Sequence, residues 1–302
     1  MRCARAQRRI RGVPKLIHRH PPRRHLHSAG VPAKLIRIFS DVHFGDRASR
    51  VRQLAQLRPL LEGVDTLVLN GDTMDTRPGP RPQHTNACRA EVLAFTAAHA
   101  PATTFITGNH DPDLSPQHLI DLADGAVAVM HGDIVFESMV PWGQDAAHIA
   151  REIATALAAL PVAERTRLEP RFAIWRRIAL SIPQRHQSEP NPFKYALHFA
   201  LDTVWPPLRI LRVLRAWRTY SPRSAEFAHT HRPHARFVLI GHTHRPGVWR
   251  HPRGTVVINT GSFCPPLGGF AVDLTETRLA VRRIEPRAGE FRAGETVAEF
   301  AI

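Results

Sequence analysis

Five times along this chain a short apolar run, rich in β-branched residues, breaks off into Asp, His or Asn. Lys34-Leu-Ile-Arg-Ile-Phe39 runs into Ser40-Asp41-Val42-His43, and Thr66-Leu-Val-Leu-Asn70 into Gly71-Asp72. Thr103-Thr-Phe-Ile-Thr107 leads to Gly108-Asn109-His110-Asp111, and Ala126-Val-Ala-Val-Met130 to His131-Gly132-Asp133. Arg236-Phe-Val-Leu-Ile240 ends at Gly241-His242-Thr243-His244. Runs of this length and composition predict buried strands. Between them, Val51, Leu54, Leu57, Leu60 and Leu61 recur at helical spacing, and a second helix is expected over about Ala90–Ala100. The Pro-rich stretch Arg77–Gln83 predicts a loop. Strand, polar tip, helix, strand is the alternation of an α/β sheet, in which ligands collect beyond the carboxyl ends of the strands.

The rhythm changes after Val135. Helical patterns follow at Ala147–Leu160, Phe172–Ile182, Phe193–Val204 and Leu208–Trp217, with no clear strand among them. Strand character returns at Arg236, and Thr255–Asn259, Gly269–Asp273 and Arg278–Arg282 predict a β-meander that closes the domain. The expected organisation is one α/β domain over 34–302, interrupted by a helical insert at about 140–235. It follows a disordered basic tail over 1–33.

Charge supports that division. The formal charge is +15, but eleven of the 41 basic residues lie in the first 40 positions, where no acidic residue occurs. The body is therefore only mildly basic, and the high isoelectric point alone does not argue for nucleic-acid binding. The tail has the composition of an Arg-rich, acid-poor transit segment but no apolar core of a secretory signal. A tail preceding the domain, or residues upstream of the true start, fits it as well. Three scattered cysteines (Cys3, Cys88, Cys264) exclude a disulfide framework and a Cys-type zinc site, and point to a reducing compartment. No apolar stretch approaches the roughly 18 residues of a transmembrane helix. The expected location is cytoplasmic.

Singly, each strand-end motif is weak; together they supply carboxylate, amide and imidazole donors in a fixed order. Two divalent ions about 3.5–4 Å apart can clamp the attacking and leaving oxygens of a phosphoryl transfer, and such a pair needs a shared carboxylate with imidazole and oxygen donors on either side. Mixed His/Asp/Asn donors suit Mn²⁺ first, with Fe²⁺ and Zn²⁺ as alternatives. In D-x-H and H-x-H, alternate residues of an extended segment point the same way. A decoy, His229-Thr230-His231-Arg232-Pro233, repeats His242–Pro246 letter for letter. Only the second copy follows a Gly and an apolar strand, and only it precedes the turn Asn259-Thr260-Gly261-Ser262, so the first is expected to be a surface segment.

The set D-x-H, G-D, G-N-H-D, H and G-H-x-H resembles the calcineurin-like metallophosphoesterase superfamily, over about Leu35–Val281 with the insert outside its core. The resemblance implies an α/β/β/α sandwich and a hydrolase that cleaves a phosphodiester or pyrophosphate bond with metal-activated water. It assigns Asp41, His43, Asp72 and His244 to one metal, and Asp72, Asn109, His131 and His242 to the other, with Asp72 bridging. His110 matches the superfamily's non-ligand histidine, implied to protonate the leaving oxygen or stabilise phosphoryl charge, with Asp111 to orient it.

The insert and the phrases His131-Gly132-Asp133 and Gly241–Pro246 are similar to the UDP-2,3-diacylglucosamine hydrolase branch of lipid A synthesis, where a helical lid covers the metals. That branch has Arg where this chain has His110. Leu208, Leu211, Leu214 and Trp217 recur every third residue, each followed by an Arg at 209, 212, 215 and 218. The pattern predicts a lid helix with its leucines on the domain. Arg212 and Arg215 are its candidate substrate-binding residues, for substrate phosphates, a lipid-linked substrate or peripheral contact with the inner membrane face. A nucleic-acid-processing nuclease or binder is the alternative of another class. Against it, the charge is concentrated in the tail and no nucleic-acid module is recognisable, so no stable nucleic-acid complex is expected.

Overall fold

The computed structural model describes residues 34–100, 102–184, 191, 194 and 208–302. The expected basic tail and, apart from Lys194, the helix expected at Phe193–Val204 lie outside the described residues. Two sheets carry the fold. The first has the order β11-β10-β9-β1-β2-β3, the second β4-β5-β6-β8-β7. In the first, β1 (Ile36–Phe39), β2 (Thr66–Asn70) and β3 (Thr103–Ile106) are parallel. The antiparallel strands β9 (Phe270–Leu274), β10 (Arg278–Arg287) and β11 (Glu290–Ala301) extend that sheet. In the second, β5 (Val127–Met130), β6 (Phe237–Ile240) and β8 (Val256–Asn259) are parallel. They are flanked by the antiparallel edges β4 (Leu119–Leu122) and β7 (Gly247–Arg250).

Alternation along each strand builds three apolar layers, because successive side chains point to opposite faces. Ile38 and Val68 of the first sheet meet Val129, Leu239 and Ile258 of the second in a core between the sheets. Phe39, Leu67 and Leu69 point the other way, onto Leu54, Leu57, Leu60 and Val92. Met130, Val238, Ile240 and Val257 form the outer face of the second sheet. That face is covered by α2 (Ala146–Ala159), α3 (Leu168–Ser181) and α4 (Leu208–His231). The result is the expected α/β/β/α sandwich.

Several expectations are corrected. Residues 54–60 form a 3-10 segment rather than an α-helix. Pro59 lies inside it, and its buried Leu54, Leu57 and Leu60 repeat at the 3-10 period. Helix α1 (Pro82–His99) starts within the Pro-rich stretch, because Pro82 occupies a first-turn position where its missing N–H costs nothing. The meander comprises β9, β10 and β11; β8 belongs to the other sheet, parallel to β6. The helical insert is no appendage, since Trp175, Ile178, Tyr220 and Ala225 complete the core over the second sheet.

Helix α4 also runs past Trp217 to His231, with Pro222 inside it. Its inward face is Ala216 and Tyr220, whereas Ile210, Leu211 and Leu214 are 47, 61 and 50% exposed. Leu211 and Leu214 of the predicted stripe therefore do not face the domain. The decoy histidines sit in the last turn of α4.

Candidate active site

All the sequence-derived ligands lie just past the carboxyl ends of parallel strands: Asp41 and His43 after β1, Asp72 after β2, Asn109 after β3, His131 after β5, and His242 and His244 after β6. The first sheet contributes four of the seven and the second sheet three. The backbone there is unusual. Asp41, His43, Asp72, His242 and His244 all have φ between 49° and 67°, the left-handed region that L-residues rarely adopt. Strain of this kind is concentrated at functional sites, held by the surrounding structure. Two glycines permit the crowding. A Cβ on Gly108 would strike the Asp72 carboxylate, and one on Gly241 the Asp41 carboxylate.

The donor atoms converge. His43 Nε2 lies 3.1 Å from His244 Nε2. Asp41 Oδ1 is 3.2 Å from His244 Nε2 and 3.8 Å from His43 Nε2, and Asp72 Oδ2 is 3.8 Å from His43 Nε2. Asp72 Oδ2 is also 3.3 Å from His131 Nε2, so Asp72 stands between the two ligand groups. His131 is aimed by its other nitrogen, which lies 3.1 Å from Asn70 O. His242 Nε2 donates to Met139 O at 2.9 Å, leaving Nδ1 for the site. Asp72, His131 and His242 form one group able to hold a metal, and His43, Asp72 and His110 another. The fit to bound cations has a direct sign. Asn109 Oδ1 is a buried side-chain atom with no hydrogen-bond partner, a costly condition that a cation would relieve, and His131 Nε2 has only the Asp72 carboxylate at 3.3 Å before it.

Electrostatics agree. Burial disfavours charge on every one of these groups, yet the carboxylates are held well below their usual range. For Asp72, His131 and His110 outweigh burial; for Asp41, His244 and His43 do so. Reciprocally, Asp41 and Asp72 overcome burial at His43 and raise it to about 9, and Asp72 raises His131 well above its usual value. His242 goes the other way, to about 3, through burial and the neighbouring His131.

His110 stands beside this group, its ring edge-on to His43 at 4.9 Å. Asp111 does not orient it. Its carboxylate instead accepts the backbone N–H groups of Asp72, Thr73 and Gly108 at 3.0, 2.7 and 2.7 Å, pinning the loop that presents Asp72. Burial and the Asp72 charge push Asp111 up to about 7. The group beside His110 is Asp75, whose Oδ2 lies 3.0 Å from His110 Nδ1. Arg77 donates to both oxygens of Asp75 and lies 2.9 Å from the same imidazole nitrogen. Burial and Arg77 lower the His110 pKa. The signal for Asp75 was its place three residues past Asp72 in the same strand-end turn.

A pocket of about 180 Å³ opens over Asp72, Asn109, His110, His242 and His244, walled by Val140, Trp142, Val213 and Trp217. Arg212 and Arg215 are not among its walls; they line an adjoining cleft of about 440 Å³ between α4 and residues 136–150. Sequence reading also missed Cys264. This buried cysteine groups with His43 and His244, the three donor atoms lying within 4.8 Å of one another. The cysteines were read only for a disulfide framework or a Cys-type zinc site, and spacing along the chain carries no information about one cysteine joining histidines at positions 43 and 244.

The model of the calcineurin-like phosphoesterase family matches residues 35–246. No curated protein matches the sequence. Among solved structures, a dimetal phosphatase from Danio rerio is similar at 15% identity and a TM-score of 0.43, covering 90% of this chain and 99% of that one. Vacuolar Protein Sorting 29 from Cryptosporidium parvum is similar at 12% identity and a TM-score of 0.43, covering 89% and 99%.

Proposed function

The chain belongs to the calcineurin-like phosphoesterase family, and from that premise we propose that it is a dinuclear-metal-dependent hydrolase of a phosphodiester or pyrophosphate bond. The observation that carries this reading is the convergence of Asp72, His131 and His242 on one point, with the unpartnered buried Asn109 Oδ1 in a residue that lines the same pocket. Asp41, His43, Asp72 and His244 would hold one ion, and Asp72, Asn109, His131 and His242 the other. The bound pair supplies Lewis acidity toward the phosphoryl oxygens and makes water a competent nucleophile near neutral pH.

The chain's own residues do the rest. His110 supplies the proton for the leaving oxygen, and Asp75 and Arg77 hold its Nδ1 so that Nε2 is the working nitrogen. Asp111 holds the Asp72 loop through three backbone donors. Val140, Trp142, Val213 and Trp217 limit water around the reacting group and suit an apolar leaving portion.

A pyrophosphatase of the UDP-2,3-diacylglucosamine type is the second reading, favoured by the Arg-lined cleft beside these apolar walls. His110 argues against that substrate. The exposed Ile210, Leu211 and Leu214, with Arg212, Arg215 and Arg218 on the same helix, also support peripheral contact with an anionic membrane surface. Among the described residues no helix is long and apolar enough to cross a membrane.

The test is turnover of Mn²⁺-loaded protein on an aryl phosphodiester, a phosphomonoester, a UDP-linked lipid and single-stranded DNA. Metal-dependent diester cleavage is expected, with Asp72→Asn losing several kcal/mol of transition-state stabilisation, about 10²–10⁴ in rate. Two tight metals and near-normal turnover in that variant would overturn the assignment.

A further inference from the structure

Cys264 is placed by the metal site's own scaffolding. Its backbone N–H donates to Ser262 Oγ at 2.8 Å, and Ser262 Oγ donates to the Asp41 carbonyl at 3.2 Å. The N–H of Phe263 donates to the same carbonyl at 3.1 Å. Phe263 is anchored in the core edge-on to Phe39 and Phe291, at 5.6 and 5.1 Å. The segment carrying Cys264 is thus fastened at both backbone and side chain to the residue that opens the D-x-H motif. Its sulfur, in a residue only 8% exposed, lies within 4.8 Å of the ligand nitrogens of both His43 and His244. Ligand atoms around one first-row ion sit about 2.0–2.3 Å from it, which sets a span of about 4–4.6 Å between opposite donors, and the three atoms gather to within 4.8 Å, close to that span.

We propose that Cys264 is a further ligand of the ion held by Asp41, His43, Asp72 and His244, and that its sulfur makes this position selective for zinc, iron or cobalt over manganese or magnesium. The inference rests on the dinuclear reading above. The chemical reason is donor softness. A thiolate favours borderline and soft ions, whereas carboxylate and amide oxygens alone suit hard ones. The other ligand group has no sulfur among the described residues. The two positions would then differ in kind: one with imidazole, carboxylate and thiolate, the other with imidazole, carboxylate and amide. Coordination also explains a buried cysteine held against two histidines that face a common point.

The experiment is cobalt(II) titration of the metal-free full-length protein, read by absorption and by metal content. Wild type should bind two equivalents and show a near-ultraviolet thiolate-to-cobalt charge-transfer band. Cys264→Ala and Cys264→Ser should lose the band, and one of the two equivalents should bind at least about 10–100-fold more weakly, the loss seen when even an outer-shell partner of a metal ligand is removed. Cys88→Ser should keep both band and affinity, because Cys88 lies instead beside His84. Competition between Zn²⁺ and Mn²⁺ should shift toward Mn²⁺ in the Cys264 variants. The serine variant keeps the shape of the site and guards against misfolding of the alanine variant. Two tightly bound cobalt ions without the band in wild type, or a band that survives in Cys264→Ser, would overturn the ligand while leaving the dinuclear reading intact. Failure of wild type to bind cobalt would remove both.

Discussion

Trp217 donates its indole N–H to the backbone carbonyl of Thr243 at 2.9 Å, tying α4 to the loop that presents His242 and His244. Arg245 reinforces the tie by donating to Trp217 O at 3.2 Å while lying over the Trp217 and Trp249 rings. The helix that walls the pocket and the loop that carries two proposed ligands are therefore one mechanical unit. Trp217→Phe keeps most of the ring and removes the hydrogen bond. It should cost about 0.5–1.5 kcal/mol of stability by denaturant unfolding. Metal affinity should fall severalfold by equilibrium dialysis, and unchanged affinity would show that the tie does not hold the ligands.

His110 and Asp75 should separate by role. His110→Asn should lower turnover about 10²–10⁴-fold for a poor leaving group and far less for an aryl leaving group, which needs little protonation. Asp75→Asn should give a smaller loss with the same leaving-group trend, and should shift the pH profile through His110. Metal content should be unchanged in both. Steady-state kinetics on paired alkyl and aryl diesters, with metal analysis, checks this.

His118, which is none of the proposed ligands, predicts a pH dependence of folding. It stacks on Phe172 at 4.9 Å, and burial, aided by Arg176, lowers its pKa to about 4. The unfolded chain, with an ordinary value near 6.5, binds the proton first. Between about pH 6.5 and 4 the unfolded state therefore carries more protons, and stability falls as pH falls. His118→Gln should remove this contribution, so the stability difference between variant and wild type should change across that window and level off outside it. Urea melts of metal-free protein at several pH values give the result.

Arg212→Gln with Arg215→Gln tests the cleft beside the pocket. Turnover of a small aryl phosphodiester should barely change, since neither residue lines the pocket over the proposed metal ligands. Binding to anionic vesicles, and activity on an amphipathic nucleotide substrate, should fall severalfold and lose much of their salt dependence. An equal loss on both substrate classes would make α4 a structural element alone.

The strand-end ligands were legible because each follows directly on an apolar run, and strand ends are where a parallel sheet exposes its backbone. The edges were not. β4 and β7 are four residues each, and β11 alternates polar residues on a face that stays open to solvent, so periodicity gave no contrast. The outward Leu211 and Leu214 of α4 were misread because spacing defines a stripe without saying which side of the helix meets the protein. Asp75 and Cys264 were missed for opposite reasons. One is a common turn residue whose partner is 35 positions away. The other belongs to a residue type whose usual spacing rules do not apply to a single cysteine.

The seam between the sheets gives the site a second meaning. Asn70, at the end of β2, donates across it to Met130 O at 2.9 Å, and the Asp41 carboxylate accepts the N–H of His242 from the far side. Each ion would likewise take donors from both sheets. Occupancy then rivets two halves of the sandwich together, and its free energy becomes cohesion of the whole domain, growing with the logarithm of ion concentration above the dissociation constant. Slowly exchanging amides in β2 and β6 would report the metals without any substrate, as faithfully as turnover does.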